Sequence, residues 1–302
     1  MTRRAGPLEG RVVVVTGAAR GVGAAVARDL GSRGATVALL GLEGAGLEAV
    51  RDELPGRALR WEVDVSDDAA MAEVADDVRE QLGPVSVVVA NAGLAEGGPF
   101  TESDPATWRR VIEVNLIGSA ITARVFLPHL RATRGYYLQI ASLASIGAAP
   151  MMSAYCASKA GVESFAHALR AEVAHEHVGV GIGYLNWTDT DMIRDADQYT
   201  VLRELRGHMP RPARKVYPVE TVARRMGRAV ERRSAAAYVP AWLRATQLVR
   251  AAMPPVVTAV SKRELAELER RAPFAATGLL GAGGRADSVA RPHSERARPG
   301  AD

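Results

Sequence analysis

Residues 12–23 read VVVVTGAARGVG, an apolar run that turns through three glycines into a helical pattern. Four consecutive valines suit a strand that is covered on both faces. Gly17, Gly21 and Gly23 let the backbone turn sharply and approach a bound group closely. The N-terminus of the helix that follows offers unpaired N–H groups to an anion. The stretch therefore predicts a strand–turn–helix unit that binds a pyrophosphate, with a tight turn lacking any ligand as the alternative.

The same unit repeats along the chain, because short apolar runs alternate with stretches whose apolar residues recur every three or four positions. Predicted strands cover Val12–Thr16, Thr36–Leu40, Ala58–Val63, Val85–Ala90, Tyr136–Ala141, Gly179–Leu185 and Ala236–Val239. Predicted helices include Gly21–Arg33, Asp67–Gln81, Ala106–Arg131 and Ala154–His175. Buried strands alternating with helices indicate an α/β fold, a doubly wound three-layer sandwich around a parallel sheet.

One domain is expected over residues 8–240, a helical extension over 241–280 and a disordered tail over 281–302. Within the domain, the polar and Arg-rich segment Asp189–Pro218 follows a strand and is a candidate lid or substrate loop. In the extension, Pro254–Pro255 separates two predicted helices, Ala241–Met253 and Val257–Arg271. The apolar and basic face of the first helix suits a membrane surface or the substrate mouth, or it packs on the body or on a partner subunit.

The composition excludes several classes. The net charge of +4 is small for 302 residues and aromatics make up 5%, so no nucleic-acid partner is expected. Cys156 is the single cysteine, which favours a reducing, cytoplasmic compartment without disulfides. The first ten residues lack the apolar run of a signal peptide, and no apolar stretch of membrane-spanning length is expected. No metal site is expected either.

Three side chains suggest proton-transfer chemistry. Ser142 follows the fifth strand, and Tyr155 and Lys159 lie four residues apart in YCASK, on one face of a helix. A nearby ammonium would lower the pKa of the tyrosine, which could then exchange a proton with a substrate oxygen that Ser142 holds. The chain has three lysines among 38 basic residues, which makes a lysine at this spacing informative. The alternative is an incidental Tyr–Lys pair on an exposed helix.

Two further motifs end predicted strands, where open α/β sheets bind ligands. Asp64 and Val65 follow the third strand, where the carboxylate can accept a hydrogen bond from adenine or merely cap the next helix. Asn91-Ala92-Gly93 follows the fourth strand and either contacts the same ligand or only turns the chain.

The order and spacing of TGAARGVG, NAG, Ser142 and YCASK resemble those of the short-chain dehydrogenase/reductase family over residues 8 to 240. The resemblance implies a Rossmann-like sheet of seven strands, a nicotinamide cofactor, and a homodimer or homotetramer. It also implies a catalytic tetrad of Asn115, Ser142, Tyr155 and Lys159, in which Asn115 kinks its helix and holds a water in a proton relay.

Where the family commonly has Pro-Gly, this chain has Leu185-Asn186, followed by Trp187. Of the next residues, Thr188 is expected near the cofactor and Thr190 matches the threonine that contacts the carboxamide. The cofactor set implied in this way is Gly17, Ala19, Arg20, Gly21, Val22, Gly23, Asp64, Val65, Asn91, Ala92, Gly93, Tyr155, Lys159, Thr188 and Thr190.

The cofactor's 2′ group decides between NADP and NAD. Gly41 and Leu42 occupy the positions where relatives carry an acid for NAD or an arginine for NADP. Arg20 resembles the basic residue that meets a 2′-phosphate, and a guanidinium suits a phosphate well. Glu43 favours NAD if it turns inward, or else begins the next helix. The sequence favours NADP over NAD.

The residues around the motifs indicate a hydrophobic substrate, an alcohol or a ketone, although core packing is the alternative use of some of them. They are Leu94, Leu143, Met151, Met152, Trp187 and Met192. The predicted function is therefore a nicotinamide-dependent oxidoreductase. A regulator or scaffold that binds the cofactor without turnover is the competing hypothesis, and the intact tetrad argues against it.

Overall fold

Seven strands form one parallel sheet in a computed structural model that describes residues 6–271 and 273–290. They are β1 Val12–Thr16, β2 Thr36–Gly41, β3 Ala58–Glu62, β4 Val85–Ala90, β5 Tyr136–Ser142, β6 Gly179–Leu185 and β7 Ala236–Val239. Their order is β3-β2-β1-β4-β5-β6-β7, so the direction of winding reverses between β1 and β4. This reversal opens a crevice at the carboxyl ends of the strands, where such sheets bind ligands. The predicted strands are confirmed to within one residue.

Helices cover both faces of the sheet. They are α1 Gly21–Ser32, α2 Gly44–Glu53, α3 Asp68–Leu82, α4 Pro105–Ile112, α5 Gly118–Thr133, α6 Ser153–Val173, α7 Asp191–Ala196, α8 Thr200–His208, α9 Arg211–Arg214, α10 Val219–Arg232, α11 Leu243–Thr246, α12 Met253–Arg271 and α13 Gly281–Ala290. Leu30 of α1 and Met226 of α10 belong to the core on one face, and Phe126 of α5 and Leu169 of α6 to the core on the other. Two apolar cores thus fix the sheet as the central layer of a Rossmann-like three-layer sandwich.

A π-helical turn, Glu113–Ile117, interrupts the predicted helix Ala106–Arg131 at Asn115, the residue that the family resemblance expects to kink it. The turn holds Asn115, whose side chain is fully buried. Such turns are common at functional sites because the extra residue re-aims the side chains around it. Contrary to the sequence expectation, Pro105–Thr133 is by length and composition apolar enough to span a bilayer. Half of its most apolar window is buried and α5 packs against β4, as in the core helix of a globular domain.

The C-terminal part differs from the prediction at two points. The predicted helix Ala241–Met253 is instead the short α11 followed by a 3-10 helix, Gln247–Ala252, and Pro254 and Pro255 lie in the first turn of α12, where proline's missing N–H costs no hydrogen bond. Residues 281–290, predicted as disordered tail, form α13, whose Gly281 lets the backbone pack closely against α7. The remainder of that predicted tail, 291–302, lies outside the described residues.

An ion pair fastens the extension to α6. Arg250 donates to both carboxylate oxygens of Glu163 on α6, at 3.0 and 3.2 Å. The Glu163 side chain is 3% exposed, so the pair is shielded from solvent on the carboxylate side. Leu248 and Val249 beside it point outward and are exposed. The extension therefore packs on the body, and its outer face is where the predicted membrane or subunit contact would lie.

Candidate active site

One large cleft lies at the carboxyl ends of β1, β4, β5 and β6 and encloses about 1120 Å³ of space, part of it open to solvent. Most of the residues predicted to bind the cofactor or to react line it together: Gly17, Ala19, Arg20, Gly21, Val22, Asn91, Ala92, Gly93, Ser142, Tyr155, Lys159, Thr188 and Thr190. Met192, predicted to contact substrate, also lines it. The structure thus brings the motifs to one place, although they are spread over 176 positions between Gly17 and Met192.

The glycine loop has the shape that its sequence predicts. Gly17 and Gly21 have φ angles of 62° and 53°, in the left-handed region that favours glycine. A Cβ at Gly23 would lie 2.1 Å from the carbonyl oxygen of Gly17, so a larger residue would not fit there. Among the described residues, no side chain caps the N-terminus of α1 and no acid lies in its first turn. The loop therefore fits the pyrophosphate of a dinucleotide.

Hydrogen bonds join this loop to the strand beside it. The Thr16 hydroxyl accepts from the backbone N–H groups of Asn91 and Ala92, at 3.0 and 3.1 Å. The Asn91 amide donates to the carbonyl oxygens of Thr16 and Gly17. The turn after β1 and the turn after β4 are therefore held in register on either side of the crevice.

Three side chains form the reactive wall of the cleft. The Ser142 hydroxyl is hydrogen-bonded to Tyr155, whose side chain is partly buried. The Lys159 Nζ lies 5.6 Å from the centroid of the Tyr155 ring and donates to the carbonyl oxygen of Ile140 at 3.3 Å. The i, i+4 spacing on α6 thus places the phenol and the ammonium in one cleft, as the sequence predicts.

The direction of the Tyr155 pKa is opposite to the one expected from the sequence. Burial raises the pKa of Tyr155 above the usual value, and the hydrogen bond from Ser142 opposes that rise only in part. Burial also lowers the pKa of Lys159 to about 8. The expectation was wrong because it counted the charge of the ammonium and omitted the desolvation of both groups. At neutral pH the site therefore holds a protonated tyrosine beside a lysine that is still mostly charged.

Asn115 lies behind this wall and does not line the cleft. Its Oδ1 accepts from the Leu94 N–H at 2.7 Å, and its Nδ2 donates to the Leu94 carbonyl oxygen and to Ser158, each at 2.9 Å. A Cβ at Gly93 would lie 3.2 Å from Asn115 Oδ1 and 3.5 Å from Lys159 Nζ. Asn115 therefore positions the strand end next to Lys159, and the water relay expected from the family resemblance stays a prediction.

Arg20 is held by carboxylates at the edge of the cleft. Its guanidinium donates to Glu43 through two nitrogens, one of them at 2.7 Å, and to Asp191 at 3.3 Å. Glu43 precedes α2, as expected, but its carboxylate turns back to Arg20 and lines the cleft. Two carboxylates therefore already pair with the Arg20 guanidinium at this edge of the cleft.

Asp64 and Val65, two residues predicted to contact the cofactor, lie outside the lining of the cleft. The Asp64 carboxylate accepts from Arg110 at 2.6 Å and from the Ser66 N–H at 2.9 Å. Burial alone would raise the pKa of Asp64, but these bonds outweigh it and the pKa is lowered. Val65 packs where a Cβ of Gly118 would lie. Their roles in this structure are an ion pair and a packing contact.

The predicted substrate residues divide into two groups. Met151, Met152 and Met192 pack with Tyr155 in an apolar cluster beside the cleft. Leu94, Leu143 and Trp187 do not line the cleft; Leu94 is buried, Leu143 packs against the main core, and the Trp187 ring lies under Arg206.

The C-terminal residues 280–284, which no motif in the sequence indicates as part of the site, also line the cleft. Leu280 joins the methionine cluster and is 1% exposed. The only signal was the run of small residues in GLLGAGG, which also suits an unstructured tail.

Comparison with known proteins gives the same result as the geometry. The short chain dehydrogenase family model matches residues 11–200. Cis-4-hydroxycyclohexanecarboxylate dehydrogenase of Sinomonas cyclohexanicum is 36% identical over 211 residues, 67% of this chain and 84% of the relative. A metagenomic short-chain oxidoreductase solved with NADP is 37% identical, with a TM-score of 0.57 over 59% of this chain and 83% of that one. A short-chain dehydrogenase/reductase from Burkholderia phymatum solved with NAD is 27% identical, with a TM-score of 0.71 over 80% and 93%. This chain belongs to the short-chain dehydrogenase/reductase family of oxidoreductases, which use NAD or NADP.

Proposed function

We propose that this protein interconverts an alcohol and a ketone or aldehyde on a hydrophobic small molecule, with Tyr155 as the acid and base. The observation that carries the proposal is the group formed by Ser142, Tyr155 and Lys159 in the same cleft as the glycine loop. The glycine loop fits a dinucleotide, and the tyrosine supplies a proton donor at the place where the reactive ring of such a cofactor would end.

A nicotinamide bound in the cleft supplies or accepts the hydride. The Ser142 hydroxyl orients the substrate oxygen beside Tyr155. Because its pKa is raised, Tyr155 is protonated at neutral pH and is ready to donate its proton to a carbonyl oxygen that gains negative charge. Lys159, with a pKa of about 8, carries positive charge at pH 7 and stabilises the phenolate that remains. The reverse order of proton transfer serves oxidation of the alcohol.

The lining beside Tyr155 supports an apolar substrate. Met151, Met152, Met192, Leu202 and Leu280 belong to one cluster with the tyrosine. Methionine side chains adapt their shape to apolar ligands. The relative from Sinomonas is named for an alcohol on a cyclohexane ring, which supports a ring-sized secondary alcohol or its ketone as the first class to test.

The cofactor is NADP or NAD, and we propose that the Arg20–Glu43 pair sets the balance between them. A freed Arg20 offers a fork of N–H donors to a 2′-phosphate, whereas Glu43 repels the phosphate and can accept from a ribose hydroxyl. The two side chains act in opposite directions and contact each other.

The test is a screen of cyclic and aliphatic ketones and secondary alcohols that follows the near-ultraviolet absorbance of the reduced nicotinamide. Wild type is compared with Tyr155→Phe, and Tyr238→Phe is the matched control because that ring stacks on Tyr184 away from the cleft. We expect Tyr155→Phe to lower kcat/KM by at least about 10³-fold and the control to match wild type. Cofactor binding without turnover of any compound in the screen would support the regulator hypothesis, and equal rates for Tyr155→Phe would disprove the role of the tyrosine.

A further inference from the structure

The C-terminal residues 273–290, here named the clasp, contribute residues 280–284 to the lining of the cleft. Their first part runs antiparallel to residues 95–98. The Thr277 N–H donates to the Gly97 carbonyl oxygen, and the Leu280 N–H to the Ala95 carbonyl oxygen, each at 2.8 Å. A Cβ at Gly98 would lie 2.7 Å from the Ala276 Cα, so the two backbones approach each other as closely as glycine permits. The path of the clasp is therefore specified by paired hydrogen bonds and close backbone packing.

One end of α13 is tied to the lid segment. The Gly281 N–H donates to Asp195 of α7 at 2.7 Å, and Arg285 forms an ion pair with the same carboxylate at 3.2 Å. Gly281 has a φ of 76°, and a Cβ there would lie 2.8 Å from the Met192 Cα. The Asp195 side chain is 17% exposed and Arg285 is 64% exposed, so the carboxylate is shielded from water but its arginine partner is not.

The other end of α13 is tied to the body through a buried ion cluster. Arg110 donates from Nε and Nη2 to the Asp287 carboxylate, at 2.9 and 2.6 Å, and also pairs with Asp64. The Arg110 and Asp287 side chains are 7% and 4% exposed. This ion pair is buried on both sides, whereas Arg285 at the other end of α13 is exposed, which makes this end the firmer of the two.

Residues 280–284, at the first of these anchors, form one wall of the cleft. The glycine loop, Tyr155 and Lys159 line the same cleft. We propose that the clasp is part of the cofactor-binding site and retains the dinucleotide, so that release of the cofactor requires at least one anchor to open. This inference rests on the binding of a nicotinamide dinucleotide in the cleft. It adds a cofactor-contacting element that lies beyond residues 11–200, the part of the chain that matches the family model.

The experiment measures the dissociation rates of NADPH and NADH from the full chain by stopped-flow fluorescence. The variants are Asp195→Asn, Asp287→Asn and the double variant. Val289→Thr is the matched control, because that side chain lies on the same helix and is 80% exposed. We expect dissociation at least about tenfold faster in the double variant, a smaller increase in each single variant, and a rate within twofold of wild type in the control. Thermal unfolding checks that each variant is folded. If Asp287→Asn does not fold, Asp195→Asn still tests the proposal, because it leaves the buried Arg110–Asp287 pair intact.

Hydrogen–deuterium exchange over 273–290 gives a second readout. The proposal expects NADPH to slow exchange there in wild type and to slow it less in the double variant. Unchanged dissociation in a variant whose clasp exchanges freely would overturn the proposal, and so would tighter binding in the variants, which would mean that the clasp blocks the cleft. Failure of wild type to bind either cofactor would instead contradict the assignment of the cleft on which the function also rests.

Discussion

The two walls of the cleft are built differently. The inner wall carries Ser142, Tyr155 and Lys159 on a strand end and a long helix, and the buried Lys159 donates a hydrogen bond to the β5 backbone. The outer wall, α7 and residues 280–284, is held mainly by backbone contacts and by ion pairs at Asp195 and Asp287. Rigid elements position reacting groups precisely, whereas segments with fewer apolar contacts open more easily. We therefore expect the inner wall to carry out the chemistry and the outer wall to control the entry and release of ligands.

Lys159→Met tests the inner wall and has the largest effect expected among the variants that follow. The loss of its positive charge leaves the Tyr155 phenolate without stabilisation, so we expect kcat at saturating cofactor to fall at least about 100-fold. Steady-state kinetics of the best compound from the screen measures this loss. A kcat within threefold of wild type would assign Lys159 to cofactor binding alone.

Lys159→Met should also change how the free energy of unfolding depends on pH. The pKa of Lys159 is lowered from 10.5 to about 8 by burial, so the unfolded chain binds more protons between these pH values and stability rises with pH across that window. Relative to Lys159→Met, wild type should gain about 2 kcal/mol of unfolding free energy between pH 7 and pH 9.5. Urea unfolding of both proteins at the two pH values measures the difference. If the free energy of unfolding changed equally with pH in wild type and in Lys159→Met, Lys159 would not be desolvated in the folded protein.

Glu43→Gln tests the edge of the cleft at which Arg20 and Glu43 are proposed to meet the 2′ group of the cofactor. Removing the carboxylate frees Arg20, so we expect the ratio of NADP to NAD affinity to rise about tenfold. Arg20→Ala should change the same ratio in the opposite direction. Titration of both cofactors into each variant gives the ratios, and an unchanged ratio in both variants would place the 2′ group elsewhere.

Leu280→Ala tests the outer wall and has the smallest effect. Leu280 is 1% exposed and belongs to the cluster around Tyr155, so its truncation removes apolar contact with a bound substrate. We expect KM for apolar substrates to rise about threefold to tenfold, on the order of 1 kcal/mol, with kcat nearly unchanged. A large loss of kcat with unchanged KM would contradict the division between the walls.

The inner wall could be predicted from the sequence because its rules are local. Tyr155 and Lys159 form an i, i+4 pair on α6, a pattern that acts within a few residues, as do the valines and glycines of the neighbouring glycine loop. The spacing in the sequence alone therefore predicts that Tyr155 and Lys159 share one cleft.

The outer wall depends on contacts between distant residues. Thr277 pairs with Gly97 across 180 positions, and Arg110 pairs with Asp287 across 177. No periodicity encodes such partners, so a run of small residues was interpreted as a disordered tail. The Tyr155 pKa was misjudged for a related reason, because burial is set by tertiary packing.

The central claim is that this chain moves a hydride between a nicotinamide and a carbonyl while Tyr155 supplies the proton. Reduced NADP or NAD that carries deuterium at the transferred position tests it directly, with the best ketone from the screen and mass spectrometry of the alcohol formed. We predict that wild type gives an alcohol one mass unit heavier and that Tyr155→Phe gives almost none. An alcohol without deuterium, or deuterated product formed equally fast by Tyr155→Phe, would contradict the account.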